Sequence, residues 1–101
     1  MRLKNGVRAA GVRPELLLAL VVTDSLFTEC GKELVVTSLT EGQHSETSLH
    51  YAGAAFDFRI WEFDEAGLED FVADLRKSLG QDYDVVIEPT HVHVEYQPRK
   101  L

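Results

Sequence analysis

Apolar residues recur at helical spacing in a first stretch of the chain, at Leu16, Leu17, Leu20, Val21 and Phe27. Pro14 stands just before them, where the first turn of a helix tolerates proline. Gly31 follows as a C-terminal stop signal. The pattern predicts a helix from about Pro14 to Cys30, with Cys30 as a small buried residue at its end.

A second helical pattern begins at Asp64 and Glu65 and ends before Gly80. Its apolar stripe consists of Leu68, Phe71, Val72, Leu75 and Leu79. Arg76 and Lys77 lie in the last turn, so acidic residues open the helix and basic residues close it. The helix dipole favours this order.

Strand patterns occupy the remaining apolar segments. Residues 34–37 form a short β-branched run, and residues 55–60 alternate apolar and polar positions. Two further strands, 84–88 and 91–96, are separated only by the turn at 89–90, so they should pair as an antiparallel hairpin.

The order of these elements predicts an α+β fold, a small and mainly antiparallel sheet with helices packed on one face. Residues 1–12 are expected to be irregular or a short lead-in, and the polar segment 38–48 a loop. With 101 residues, the chain is expected to form a single domain, 1–101.

Composition narrows the class of function. Seventeen acidic residues against ten basic ones give a net charge of −7, which counts against a nucleic-acid partner. The single cysteine excludes an intramolecular disulfide and a cysteine-rich zinc site. The longest apolar run, Leu16 to Val22, is too short for a membrane span. We expect a monomer made in the cytoplasm without a signal peptide.

The candidate chemistry lies in the histidines. All four fall into two groups, one in or just after the polar loop and one on the last strand: His44, His50, His91 and His93. Side chains two apart on a strand share a face, so His91, His93 and Glu95 should point one way, and Asp57 lies on the polar face of its own strand. With His50 as a third ligand, nitrogen and oxygen donors would leave a fourth position for water, as in a catalytic zinc site.

Residues 48–57 read Ser-x-His-x-x-Gly-x-Ala-x-Asp, and residues 91–93 read His-x-His. This pattern resembles the zinc D-Ala-D-Ala carboxypeptidase and endolysin family (peptidase family M15). It is equally similar to the amino-terminal signalling domain of hedgehog proteins, which shares that zinc fold. The sequence of residues 42–51 closely resembles the loop of that domain. The resemblance covers roughly residues 34 to 96, and the ten-residue pattern is its specific part.

The resemblance implies that three residues hold one zinc ion: His50, Asp57 and His93. It also implies that His91 stabilises the oxyanion or shuttles a proton, and that His44 is a second polar group at the metal's water. Ser48 would hold the loop by hydrogen bonds, and Gly53 would make a tight turn.

The general base is where this chain departs from both groups. Many carboxypeptidases place an acid three residues before the last ligand, where this chain has Thr90. The hedgehog domains place a glutamate six residues before it, where this chain has Ile87. Glu88 lies between these positions, and we expect it to be the base, with His91 as the alternative.

The implied activity is a zinc metallopeptidase acting on peptidoglycan stem peptides, at D-Ala-D-Ala or at L-Ala-D-Glu, as in phage lysis proteins. The alternative from another class is a catalytically inactive zinc-containing binding module resembling the hedgehog domain. A purely structural zinc is a third possibility. Glu95 is expected to be a partner of a ligand or a surface acid. Trp61 and Tyr51 either line a substrate groove or, as is commoner, cap the core.

Overall fold

The computed structural model describes residues 1–40 and 53–98. It contains two helices and five strands in the order β1 (Arg2–Leu3), α1 (Pro14–Glu29), β2 (Val35–Ser38), β3 (Ala55–Arg59), α2 (Glu65–Leu79), β4 (Tyr83–Ile87) and β5 (His91–Tyr96). The predicted α+β class is confirmed.

The five strands form one sheet in the order β1-β2-β3-β5-β4. All neighbouring strands are antiparallel except β1, which pairs parallel to β2. The expectation that residues 1–12 are wholly irregular was therefore wrong. The backbone N–H groups of Arg2 and Lys4 donate to the carbonyls of Leu34 and Val36, at 2.8 and 2.9 Å, and these bonds make the short strand.

Helix α1 has Pro14 in its first turn, as predicted, and ends at Glu29, with Cys30 as its C-terminal cap. The residues that it buries are Leu16, Ala19, Leu20, Thr23 and Phe27. Leu17 and Val21, which the helical spacing placed in the same stripe, are exposed, and so is Cys30, so these expectations were wrong. Leu17 follows Leu16 by one residue, about 100° around the helix, which turns it away from the sheet.

Helix α2 follows its predicted signals closely. The Asp64 carboxylate accepts a hydrogen bond from the Gly67 N–H at 2.7 Å and caps the amino end. Gly80 closes the helix with a φ of +85°. Leu68, Phe71, Val72 and Leu75 are its buried residues, which is the predicted stripe without its last member.

Both helices cover the same face of the sheet, and the core lies between the helices and the sheet. On β3 and β5, the residues that face the helices are Phe56, Phe58, Val92 and Val94, all fully buried. Phe27 of α1 meets Phe58 edge to face at a centroid distance of 5.4 Å, and also meets Phe71 of α2. Aromatic packing therefore joins both helices to the sheet.

The β4–β5 hairpin turns at Pro89 and Thr90, as predicted, and the Glu88 N–H donates to the His91 carbonyl at 2.8 Å. Strand β4 is an outer strand, where the Arg76 side chain donates two hydrogen bonds, at 3.2 and 2.7 Å, to the Val85 carbonyl. Within residues 1–40 and 53–98, no helix is long and apolar enough to cross a membrane.

Candidate metal centre

The sheet surface opposite the helices carries the predicted chemistry. Alternation along β3 and β5 turns five polar residues to this side, which we call the open face: Asp57, Arg59, His91, His93 and Glu95. The strand register places Asp57 directly opposite His93, and Arg59 directly opposite His91. Residues opposite each other in adjacent strands have side chains in reach of one another.

Asp57 and His93, two of the predicted zinc ligands, are in contact. The Asp57 Oδ1 lies 2.8 Å from the His93 Nδ1, and both side chains are mostly buried. Two donors on one tetrahedral zinc, each at about 2.0–2.1 Å, stand about 3.3 Å apart. The two atoms therefore need to separate by only about 0.5 Å to bind the same ion. The chemistry and spacing of this pair fit the predicted metal.

The second ring nitrogen of His93 is also engaged, because its Nε2 lies 3.1 Å from the Glu95 Oε1. Histidine ligands commonly donate their other ring N–H to a carboxylate, which sets the tautomer and the ring orientation. The hydrogen bond that the Asp57 carboxylate accepts from the imidazole raises the pKa of His93 above its ordinary value. Burial opposes this increase, and the charges of Asp57 and Glu95 add to it.

His91 lies beside this pair rather than in it. Its Nε2 is 3.8 Å from the Asp57 Oδ2, and its Nδ1 is 3.0 Å from the Thr90 hydroxyl. Thr90 therefore orients the ring, while Nε2 faces the carboxylate of a candidate ligand.

Glu88 stands opposite His91, since its N–H donates to the His91 carbonyl. Opposite residues in a hairpin share a face, so Glu88 lies on the side of the open face. Ile87 pairs with the buried Val92 and belongs to the helix side. In this hairpin, residue 88 therefore lies on the open face and residue 87 does not, so a carboxylate at position 88 is on the same side as the histidines. The role of Glu88 as base stays a prediction.

Three of the predicted site residues, His44, Ser48 and His50, lie outside the described residues. In the described parts of the chain, no group of three or more His, Cys, Asp and Glu side chains is arranged to hold a metal ion. Asp57 and His93 thus stand as a pair that needs a further ligand.

Gly53, at the start of the second described range, has a φ of +73°, and a Cβ there would collide with the Gly11 carbonyl oxygen.

A groove of about 280 Å³ adjoins the pair on the β2 side, with His91 in its wall. Arg59 and Lys4 bring positive charge to it, and Trp61 is 79% exposed there, so its expected role as a cap of the core was wrong. Sequence reasoning missed both cations as site residues. The alternation that faces Asp57 outward also predicts Arg59, whereas no sequence signal places Lys4 there.

A second groove, of about 460 Å³, wraps the outer edge of β4 beside α2. It is the larger of the two, but neither Asp57 nor His93 lines it.

Comparisons of the chain with protein families, with curated proteins and with solved structures find no significant match.

Proposed function

We propose that this chain is a zinc metallopeptidase that hydrolyses peptide bonds in peptidoglycan stem peptides, at D-Ala-D-Ala or L-Ala-D-Glu. One observation carries the proposal. An aspartate and a histidine from sequence-distant strands meet at 2.8 Å on the side of the sheet opposite α1 and α2. The ten-residue pattern that contains Asp57 supports His50 as the third ligand.

In this proposal, His50, Asp57 and His93 hold the zinc, and Glu95 keeps His93 oriented through its Nε2. When bound, the metal supplies Lewis acidity that polarises the peptide carbonyl and acidifies water. Glu88 takes the proton from the attacking water as the C–O bond forms, and transfers it to the leaving nitrogen as the C–N bond breaks. His91 donates a hydrogen bond to the oxyanion that develops between these steps.

The ligand assignment is tested by the zinc content of the purified full chain after dialysis against a low concentration of zinc. We expect one zinc per chain, and a loss of most of it in Asp57→Ala and His93→Ala. His91→Ala is the matched control, because it removes an imidazole from the same strand without removing a proposed ligand. Equal zinc loss in the control would contradict the assignment, and so would full retention in His93→Ala.

The activity is tested by incubating the zinc-loaded chain with stem peptides and measuring the release of D-Ala and the appearance of new amino termini. Loss of a positioned general base lowers the rate by about 10²–10⁴-fold. We expect that loss in Glu88→Gln with zinc retained. An active Glu88→Gln variant would remove Glu88 from the mechanism and leave His91 as the candidate base.

A zinc-containing binding module without peptidase activity is the second candidate. The observation that favours it is Ile87, which takes the position where the hedgehog domains have a glutamate and pairs with a buried residue. This candidate predicts full zinc occupancy with no turnover of any stem peptide at any zinc concentration. The two assays together therefore separate the two functions.

A further inference from the structure

We infer that the outer surface of α1 is a docking site for an amphipathic helix of a partner protein, one whose apolar stripe is flanked by lysine and arginine. The inference is independent of the proposed function, because it concerns the helix layer and not the open face. It starts from three apolar side chains of α1 that lie in water. Leu17 is 50% exposed, Leu18 65% and Val21 59%.

These side chains belong to one patch. Four residues follow the spacing i, i+3, i+4 and i+7, which places them side by side over about two turns of α1: Pro14, Leu17, Leu18 and Val21. The residues that α1 buries lie on its other side, so this α1 patch points away from the sheet. Isolated exposed apolar side chains are ordinary, whereas adjacent ones mark a surface used for interaction.

The outer surface of α2 shows the contrast. Its exposed positions carry charges, among them Glu69, Asp70 and Asp74. The outward stripe of α1, about 100° wide, continues from the patch through Ser25 and Thr28 and contains no charged residue. A helix that is apolar on both its sides is typically covered on both, so the α1 patch suits a second layer.

The spacing of the patch favours a helix as that layer. Leu17 and Val21, four residues apart, form one ridge, and Pro14 and Leu18 form the next, which leaves a groove between them. A second helix packs a ridge of its own side chains into such a groove. Anchors at i, i+3, i+4 and i+7 are also the pattern by which amphipathic helices dock.

Charge determines which helix fits. Helix α1 contains three acidic residues and no basic one, and α2 contains four acidic and two basic residues. The amino terminus pairs with Asp24 at 3.1 Å on one flank of the stripe. Glu15 and Glu29 lie on the other flank, and among the described residues neither forms an ion pair. Lysine and arginine beside the partner's apolar stripe complement these carboxylates.

The same charges disfavour two other occupants. A second copy of the chain would bring its own acidic helices and a further net charge of −7, so like charges oppose the pairing of two α1 patches. An anionic lipid surface is repelled in the same way. Helices that lie in a lipid interface carry lysine and arginine on their polar face, and α1 has neither.

The test uses the full chain and a designed peptide of about 20 residues, long enough to form a helix. The peptide has leucines at the spacing of the α1 patch and lysines beside them. A second peptide has glutamates in place of the lysines, and a third is a scrambled lysine peptide that controls for non-specific attraction to an acidic protein. Fluorescence anisotropy of each labelled peptide measures its affinity. We expect the lysine peptide to bind at least about tenfold more tightly than either of the others.

Leu18→Gln and Val21→Gln should each weaken the lysine peptide at least about tenfold, because they place an amide in the apolar contact. Val86→Gln is the matched control, since it changes an exposed valine on β4, and it should leave the affinity unchanged. Glu29→Gln should weaken binding by about twofold, as expected for an exposed ion pair. Circular dichroism verifies that each variant is folded.

Equal binding of the three peptides would overturn the inference, and so would an unchanged affinity in Leu18→Gln and Val21→Gln. Sedimentation equilibrium of the chain alone and co-sedimentation with phosphatidylcholine vesicles test the other occupants. A dimer, or binding to vesicles, that Val21→Gln abolishes would assign the patch to a second copy or to lipid and would also overturn it. None of these measurements uses zinc or turnover, so failure of the proposed function would leave their outcome unchanged.

Discussion

The two faces of the sheet are built from the same strands and differ in almost every physical respect. On β3, Phe58 is fully buried against both helices, while its neighbour Asp57 faces the open side and contacts His93. On β4, Val85 is 5% exposed and Val86 is 41% exposed. The residues that face the helices form the apolar core, whereas the polar side chains of Asp57 and His93 lie outside it.

The difference shows how a small domain can hold a polar site without destabilising itself. Alternation fixes Asp57 and His93 opposite each other because Phe56, Phe58, Val92 and Val94 fix the register from the other side. A slip of one residue would bury the carboxylate and expose the phenylalanines. The apolar face therefore positions the site, although it does not touch it.

The strongest test of this division removes an aromatic ring from the apolar face. Phe58→Ala should lower the free energy of unfolding by about 3–5 kcal/mol, because it leaves a cavity among Phe27, Phe71 and their neighbours. Urea unfolding followed by circular dichroism measures it. Asp57→Asn, one residue away on the other face, should cost about 1 kcal/mol and abolish zinc binding. Similar losses of stability in both variants would contradict the division.

A second test concerns the backbone at the entrance to β3. Gly53→Ala should destabilise the protein by more than about 1 kcal/mol, because it combines a φ of +73° with a collision against the Gly11 carbonyl. Gly31→Ala is the matched control, with a φ of +70° and no atom within 4 Å of the added Cβ. Thermal unfolding of the two variants separates the collision from the φ strain. If the control loses as much stability, the close approach to Gly11 contributes nothing.

A third test uses pH on the open face. In the metal-free protein, the folded-state pKa of His93 lies above the unfolded value of about 6.5. Its contribution to stability is therefore fully present below about pH 6.5 and is lost as the pH rises through the folded-state pKa. Because protons compete with zinc for the imidazole, zinc affinity should rise over this interval, by at most about tenfold per pH unit.

Ring-proton NMR of the metal-free chain measures the His93 midpoint directly. Asp57→Asn should lower that midpoint, because it removes the largest cause of the raised pKa. A wild-type midpoint at or below about 6.5, the ordinary value for histidine, would contradict the coupling of His93 to the two carboxylates.

The smallest effect is expected for an apolar residue on the open face. Val86→Ala should change the free energy of unfolding by no more than about 0.5 kcal/mol, because Val86 is 41% exposed and outside the core. Val85→Ala, on the same strand and facing the core, should cost about 1–3 kcal/mol. Urea midpoints for the two variants give the comparison, and equal midpoints would mean that β4 does not divide the two faces.

Much of the fold could be predicted wherever the signal is local. The Asp64 cap and Gly80 delimit α2, and the two-residue turn at Pro89 and Thr90 defines the hairpin. The stripe of α1 was predicted less well because residues 16–22 are apolar on every side, so spacing alone does not show which side turns inward. β1 carries no alternation, and its two residues become a strand only through bonds to distant carbonyls.

In the candidate site, too, the features with a local sequence signal could be predicted and the others could not. The outward direction of Asp57 and His93 follows from the period of a strand, and the described part of the chain brings them into contact. That β3 and β5 are neighbours required the sheet order, which the sequence pattern does not determine. Lys4 reaches the groove because β1 adds to the far edge of the sheet beside β2, a pairing without any local signal.

The contact between Arg76 and the outer strand has a consequence for self-association. An unprotected outer strand offers a row of carbonyl oxygens that can template pairing with a second molecule, and apolar side chains such as Val86 strengthen that tendency. By donating twice to the Val85 carbonyl, Arg76 occupies the acceptor at the middle of β4. With this acceptor occupied, β4 is a poorer template for pairing with a strand of a second molecule.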